Sequence, residues 1–308
     1  MYQVKSPILF LIFNRPEETL LVFNEIKKVK PSVLYIAADG PRAHKAEDIL
    51  LCEKTINIIK NIDWDCEVKT LLRQENIGCK RAVSSAITWF FRNEPEGIVL
   101  EDDCLPSQDF FVFCDEMLAY YRYNDKIAHI CGSNFQDGIK RNEYSYYYSG
   151  FTYVWGWAGW RRVWEQYDVN LSLLEKGLKR DFLSVLTNSK IYKLFLEYIF
   201  KNVKNGKINT WDYQYLFLNI FNAKFSIVPN NNMISNIGFS KNATHSVSGS
   251  DNANIPFTAL PYPVIHPQDM VVNKQADEYT LKKQTPTAFR VIVIAVKSYI
   301  KDVLQLNK

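Results

Sequence analysis

The sequence predicts an α/β protein: a mostly parallel central sheet flanked by helices, forming a single compact domain. Three observations carry that expectation. Short aliphatic runs recur at residues 8–13, 33–37, 67–72 and 97–100, stretches with helical spacing separate them, and each run stops at polar residues. Strands alternating with helices of about a dozen residues imply parallel neighbours joined by right-handed crossovers.

The elements follow in order. Residues 8–13 resemble the apolar core of a signal peptide, but the run is short and no small-residue cleavage site follows, so they read as a first buried strand. Residues 17–28 repeat apolar positions through Leu20, Leu21, Phe23 and Ile26, with Pro16 at a first-turn position, as a helix start tolerates. The strand at 33–37 breaks at Asp39-Gly40-Pro41; residues 46–59 and 79–91 read as helices. Residues 144–168 are crowded with Tyr and Trp, and 182–225 read as helical with a break at Asn205-Gly206. The Asn-, Ser- and Pro-rich stretch 226–270 reads as loops. No linker composition separates the halves, so residues 1–285 are expected to form one unit, followed by a basic amphipathic segment at 286–308.

Composition narrows the function classes. A chain of 308 residues with 47% hydrophobic content can bury one large core. A net charge of +4 suits an anionic small ligand or a membrane surface and is too dispersed for nucleic acid. Six cysteines without a CxxC pair or Cys–His ligand spacing read as reduced thiols in a cytoplasmic protein. No apolar stretch reaches the ~20 residues that a spanning helix needs. The amphipathic arc of residues 288–306 either packs on the domain or lies peripherally at the inner face of a membrane.

The chemistry concentrates at GIVLEDDCLP, residues 97–106, where a buried strand ends in Glu101, Asp102 and Asp103. Three adjacent carboxylates repel one another unless a cation or a set of donors sits among them. Accidental acids at a solvated strand end are the plainer explanation. Against it, ligands in open α/β sheets bind at the carboxyl ends of strands. Mg²⁺ or Mn²⁺ typically takes one or two protein carboxylates and completes its shell with substrate phosphates.

FNRP at 13–16, ADGPR at 38–42, ENIG at 75–78, EDD at 101–103, WGWAGWRRVW at 155–164 and TWDYQ at 210–214 occur in that order. Together they resemble the GT-A-type glycosyltransferases, nucleotide-diphospho-sugar transferases with a Rossmann-like sheet, and within them bacterial enzymes similar to the N-acetylglucosaminyltransferase I group. The resemblance spans roughly residues 7–270, and EDD with the Trp-rich and Trp-Asp segments is its most specific part. It implies a nucleotide-sugar half at about 1–123 and an acceptor half at about 124–285. It also implies a UDP-sugar donor, with UDP-GlcNAc favoured, a glycan or lipid-linked glycan acceptor, and inversion. Carried over by position, Asp103 is the Mn²⁺ or Mg²⁺ ligand and Asp102 contacts ribose or the metal's waters. Glu101 faces a donor-sugar hydroxyl, Asn14 and Arg15 line the nucleotide pocket, and Asp39 accepts from uracil. Arg73, Lys80 and Arg81 close over ribose and diphosphate, although a surface helix carries Lys80 and Arg81 in any case. His245, in NIGFSKNATHSVSG, resembles a group returned by a late loop to the diphosphate or metal.

Asp212 reads in two ways. Asn209 or Thr210 can cap a helix whose first turn favours an acid there. The resemblance instead makes Asp212 the general base that deprotonates the acceptor, as inversion at a sugar carbon requires. Tyr153, Trp157, Trp160 and Trp164 recur at helical spacing, and such a stripe is usually core. Trp155 and Trp157 flank Gly156 and, with Trp211, are expected to meet the acceptor. His129 and His266 read as structural. A nucleotidyltransferase shares the sheet and the metal but should carry a glycine-rich loop after its first strand, where this chain has FNRPEE. A non-catalytic sugar-binding module could use the aromatics but has no need of the acids.

Overall fold

The structure, a computed structural model, describes residues 2–239 and 254–293. His245 and the segment 294–308 lie outside the described residues.

β1 (Ile8–Ile12) is buried at every position, the pattern of a strand covered on both faces. Its alternation sorts the two layers: Ile8, Phe10 and Ile12 pack with one apolar cluster, Leu9 and Leu11 with another. α1 (Pro16–Val29) starts on proline, buries Val22, Phe23, Ile26 and Val29 in the first cluster, and ends at Lys30, which adopts the left-handed φ of 41° common at helix ends. β2 (Val33–Ala38), α2 (Glu47–Asn57) and β3 (Glu67–Leu72) follow. α3 (Cys79–Asn93) covers the opposite face with Ala86, Ile87, Phe90 and Phe91, and leads into β4 (Glu96–Glu101).

The second half adds β5 (Cys104–Pro106), α4 (Gln108–Tyr121), β6 (Ile127–Cys131), β7 (Tyr146–Ser149) and β8 (Trp157–Trp160). Then come α5 (Arg161–Trp164), α6 (Leu174–Lys179), α7 (Lys190–Lys204), α8 (Asp212–Phe221), β9 (Phe225–Pro229), β10 (Ile234–Asn236) and α9 (Lys274–Gln284). Among the described residues eight strands form one sheet in the order β3-β2-β1-β4-β8-β6-β9-β7, and β10 pairs with β5 in a separate ribbon. Neighbours β3, β2, β1 and β4 are parallel; β8 is antiparallel to both β4 and β6, and β7 is antiparallel to β9. The sheet is therefore mixed α/β and mostly parallel, and it runs unbroken through both halves in one compact domain.

Two local expectations are corrected. The stripe at 153–164 is not one helix: only 161–164 are helical, as α5, and residues 157–160 form β8, inserted between β4 and β6. Its period is two, with Trp157 in one apolar cluster and Ala158 and Trp160 in the other. The stretch 226–270 is not all loop, since it contains most of β9 and all of β10. The expected helices at 17–28, 46–59 and 79–91 are present within a few residues.

Topology places a site. The chain leaves β1 toward β2 on one side, then returns from β3 to β4 on the other, so β1 and β4 are adjacent with connections that diverge. A crevice opens at the carboxyl ends of strands related in this way. Phe13–Arg15 and Glu101–Asp103 are the residues found there.

Candidate active site

A cavity of about 700 Å³ occupies this crevice, and Arg15, Asp39, Arg73, Glu101, Asp102, Asp103, Trp155, Trp211 and Asp212 all line it. Residues nearly 200 positions apart in the chain thus meet in one space.

The acids are held from β1. The Phe13 backbone N–H donates to Asp102 Oδ2 at 3.0 Å, and Arg15 Nη1 lies 2.5 Å from Asp103 Oδ2 and 3.5 Å from Asp102 Oδ1. Burial and the neighbouring Asp103 push the Asp102 carboxyl up to about 7, against the pull of Arg15 and the Phe13 N–H. Burial, then Asp103, Asp102 and Asp212, hold the Glu101 carboxyl well above the usual carboxylate range. The Glu101 side chain makes no hydrogen bond or ion pair among the described residues. Burial works against the Arg15 charge, but Asp102 and Asp103 outweigh it and raise its pKa. The backbone of Gly238 presses on Asp103 so closely that a Cβ there would collide with the carboxylate.

Asp39 is built into the opposite wall. Its carboxylate accepts from the backbone N–H groups of Gly40 (3.1 Å), Ile77 (3.1 Å) and Gly78 (3.0 Å), tying the end of β2 to the start of α3. Gly78 has a left-handed φ of 81°, which a residue with a Cβ adopts only at a cost. Arg73 donates to Ser85 Oγ at 2.9 Å, and burial lowers its pKa while Asp39 supports its charge.

Asp212 is the first residue of α8, and its carboxylate accepts from the Thr210 hydroxyl. The expected cap is corrected: Trp211, not Asn209 or Thr210, stands at the N-cap and makes no side-chain cap bond, whereas Asp212 does fall in the first turn and also lines the cavity. Trp155 is half-buried, lines the cavity, and meets Phe135 and Phe239 at ring distances of 5.0 and 5.8 Å.

Other expected residues are placed elsewhere. Trp157 does not line the cavity; its ring is 1% exposed and packs among Phe91, His129, Trp164, Trp211 and Tyr215. Trp211 lines the cavity, but its ring is 3% exposed and belongs to the same cluster. Asn14 turns away and donates to Asp48 at 2.8 Å. Lys80 and Arg81 lie on α3 outside the lining, where Cys79, Ala82, Val83 and Ala86 face the cavity. His129 is fully buried and bonds the Tyr153 carbonyl at 2.8 Å, with burial lowering its pKa to about 3. His266 stacks on Tyr120 and bonds the Tyr146 hydroxyl.

Arg42, Asn76, Asn209, Asn236 and Phe239 also line the cavity. The ADGPR segment carried the signal for Arg42. Its guanidinium sits 5.3 Å over the Phe13 ring and holds Asp48 at 2.5 and 2.8 Å. Asn236 ends the strand β10 that composition had concealed, and Phe239 follows in the segment after it.

A divalent cation fits this donor set in one way only. Among the described residues no group of three or more His, Cys, Asp or Glu side chains converges as a protein-built cage. Asp102 and Asp103 remain as adjacent oxygen donors on the cavity, enough for a cation that brings its own waters and substrate phosphates.

No family model matches the sequence, and no curated protein matches it. Among solved structures, the chain is similar to a cytidylyltransferase from Leptospira borgpetersenii serovar Hardjo-bovis, at 10% identity and a TM-score of 0.32, over 54% of this chain and 64% of that one. It therefore spans just under two thirds of that enzyme. HddC from Yersinia pseudotuberculosis matches at 11% identity and 0.32, over 56% and 86%. An apo UDP-glucose pyrophosphorylase matches at 11% identity and 0.36, over 92% and 100%. Likeness at this level carries no functional argument, so function must be argued from the site.

Proposed function

We propose that the chain is a metal-dependent glycosyltransferase that moves a sugar, GlcNAc favoured, from a UDP-sugar to a glycan hydroxyl with inversion. The observation that carries the reading is that Asp212, from the acceptor half, and the acids at the end of β4 line the same cavity. Asp103, with Asp102, would hold Mn²⁺ or Mg²⁺, which when bound neutralises charge building on the diphosphate. Arg15 and Arg73 bring positive charge to the same cavity, and Asp39 fixes the loop on which a nucleotide would rest. Glu101, whose carboxyl makes no hydrogen bond or ion pair among the described residues, meets a donor-sugar hydroxyl. Asp212 takes the acceptor's proton as the acceptor oxygen bonds to the anomeric carbon; the bond from that carbon to the diphosphate breaks, and its electron pair leaves with UDP. Synthesis of a bacterial surface polysaccharide at the cytoplasmic face of the membrane is the setting this reading suggests. Among the described residues no helix is long and apolar enough to cross a membrane.

Binding tests the donor side. UDP with Mn²⁺ should raise the melting temperature more than either alone, since a ligand of the native state stabilises it. Asp103→Ala should abolish the cooperative part. A shift with UDP that ignores Mn²⁺ and survives Asp103→Ala would overturn the metal assignment.

A further inference from the structure

A second cavity, of about 330 Å³, adjoins the first, and Val154, Trp155 and Asp212 line both. Its walls differ in charge. Phe135, Phe195, Leu196, Ile199, Leu216 and Leu281 surround it, and among the described residues Asp212 is its one charged lining side chain. Phe195 and Ile199 on α7 and Tyr213 on α8 are only half-buried, so apolar surface faces open space here. The end of α9 closes one side through Leu281, Gln284 and Thr285. The Thr285 hydroxyl is buried without a hydrogen-bond partner among the described residues. A buried hydroxyl left unpaired is costly, and a ligand atom is one way to satisfy it.

Leu196 and Ile199 on α7, Leu216 on α8 and Leu281 on α9 give an alkyl or aryl group contacts that need no polar partner, while Thr152, Tyr153, Tyr213, Gln284 and Thr285 also line the chamber. The volume lies at the low end for small-molecule pockets, enough for a short apolar group and too small for a saccharide chain with its waters. The seam matters most: whatever fills the chamber extends to Asp212.

We propose that this chamber binds an apolar aglycone of the acceptor, so that the enzyme acts on an amphiphilic glycoside whose reacting hydroxyl lies close to its alkyl or aryl group. The Thr285 hydroxyl bonds an oxygen that links the apolar group to the sugar. This rests on Asp212 as the base of the transfer proposed above.

The test uses the full chain and octyl β-glucoside, below its micelle concentration, against methyl β-glucoside, by titration calorimetry and Trp155-sensitive fluorescence. Octyl glucoside should bind at least ten-fold tighter than the methyl compound. Ile199→Trp, which fills the chamber, should remove that preference while UDP–Mn²⁺ affinity changes less than two-fold. If Ile199→Trp fails to fold, Phe195→Gln, at a half-exposed position, should reduce the preference in the same direction. Equal binding of the two glucosides, or octyl binding indifferent to both variants, overturns the proposal. UDP that fails to bind while octyl glucoside behaves as expected overturns the donor reading and leaves the chamber's apolar specificity standing.

Discussion

The Arg15 guanidinium spans two consecutive carboxylates, 2.5 Å from Asp103 Oδ2 and 3.5 Å from Asp102 Oδ1. It therefore stands where positive charge is most needed in a crevice that gathers Glu101, Asp102, Asp103 and Asp212. A cation arriving with a diphosphate would relieve the same repulsion and free Arg15 to meet phosphate oxygens.

Arg15→Met should accordingly destabilise the protein by about 3 kcal/mol, because it strands partly buried carboxylates without their partner. Mn²⁺ should then raise the melting temperature of the variant more than that of the wild type. Equal Mn²⁺ shifts in the two proteins, measured by calorimetry, would show that the metal and Arg15 do not share the acids.

Trp155 and Trp157 should separate cleanly although two residues apart. Trp157→Ala removes a fully buried ring and should cost about 3–5 kcal/mol by chemical denaturation. Trp155→Ala should cost less than half as much and lower kcat/KM for acceptor at least ten-fold. The reverse ranking in stability would contradict the assignment of Trp157 to the core.

Asp39 should act through the loop it holds. Asp39→Ala leaves the N–H groups of Gly40, Ile77 and Gly78 without their acceptor, at a cost of about 1–3 kcal/mol for each one left unsatisfied. Gly78→Ala, which forces a Cβ into a left-handed backbone, should cost about 1–2 kcal/mol. Both should weaken UDP binding in proportion to loosened exchange protection at residues 75–78, read by hydrogen exchange. Weaker binding with unchanged protection would assign Asp39 a direct contact only.

The Arg42–Asp48 pair sets an acid limb. The hydrogen bond from Arg42, ahead of its opposing burial, lowers Asp48 from 3.8 to about 2. A carboxyl depressed on folding lends stability that is complete above pH 3.8 and fades as pH falls through about 2. Asp48→Asn should therefore be less stable than wild type by about 1–3 kcal/mol at pH 7, with the gap closing toward pH 2. A gap independent of pH would mean that the charge on Asp48 contributes nothing.

Much of this was legible in the chain and some was not, for physical reasons. The first half read well because β1, β2 and β4 are continuous buried runs, each separated by a helix whose apolar spacing is regular. The strand-end acids were legible because polarity changes abruptly at a carboxyl end. β8 was misread because Trp157, Trp160 and Trp164 satisfy a helical spacing while 157 and 160 lie on opposite faces of a strand. β10 was hidden because three residues among asparagines give no periodic signal, and its pairing partner β5 lies about 130 positions away. Asn14 and Trp157 could not be excluded from the site by sequence, since a one-residue change in direction separates a pocket side chain from a structural one. Arg42 was overlooked because its partner Asp48 sits on the next helix.

Transfer itself is the most direct test of the reading. Wild type and Asp212→Asn should be incubated with a panel of nucleotide sugars, Mn²⁺ and glycoside acceptors, with products followed by mass spectrometry and anomeric configuration by NMR. Wild type should release UDP from UDP-GlcNAc and form an inverted glycoside, and Asp212→Asn should keep UDP–Mn²⁺ affinity while losing roughly 10²–10⁴-fold in turnover. Release of sugar 1-phosphate in exchange with pyrophosphate, with no glycoside formed by wild type and Asp212→Asn unaffected, would contradict it.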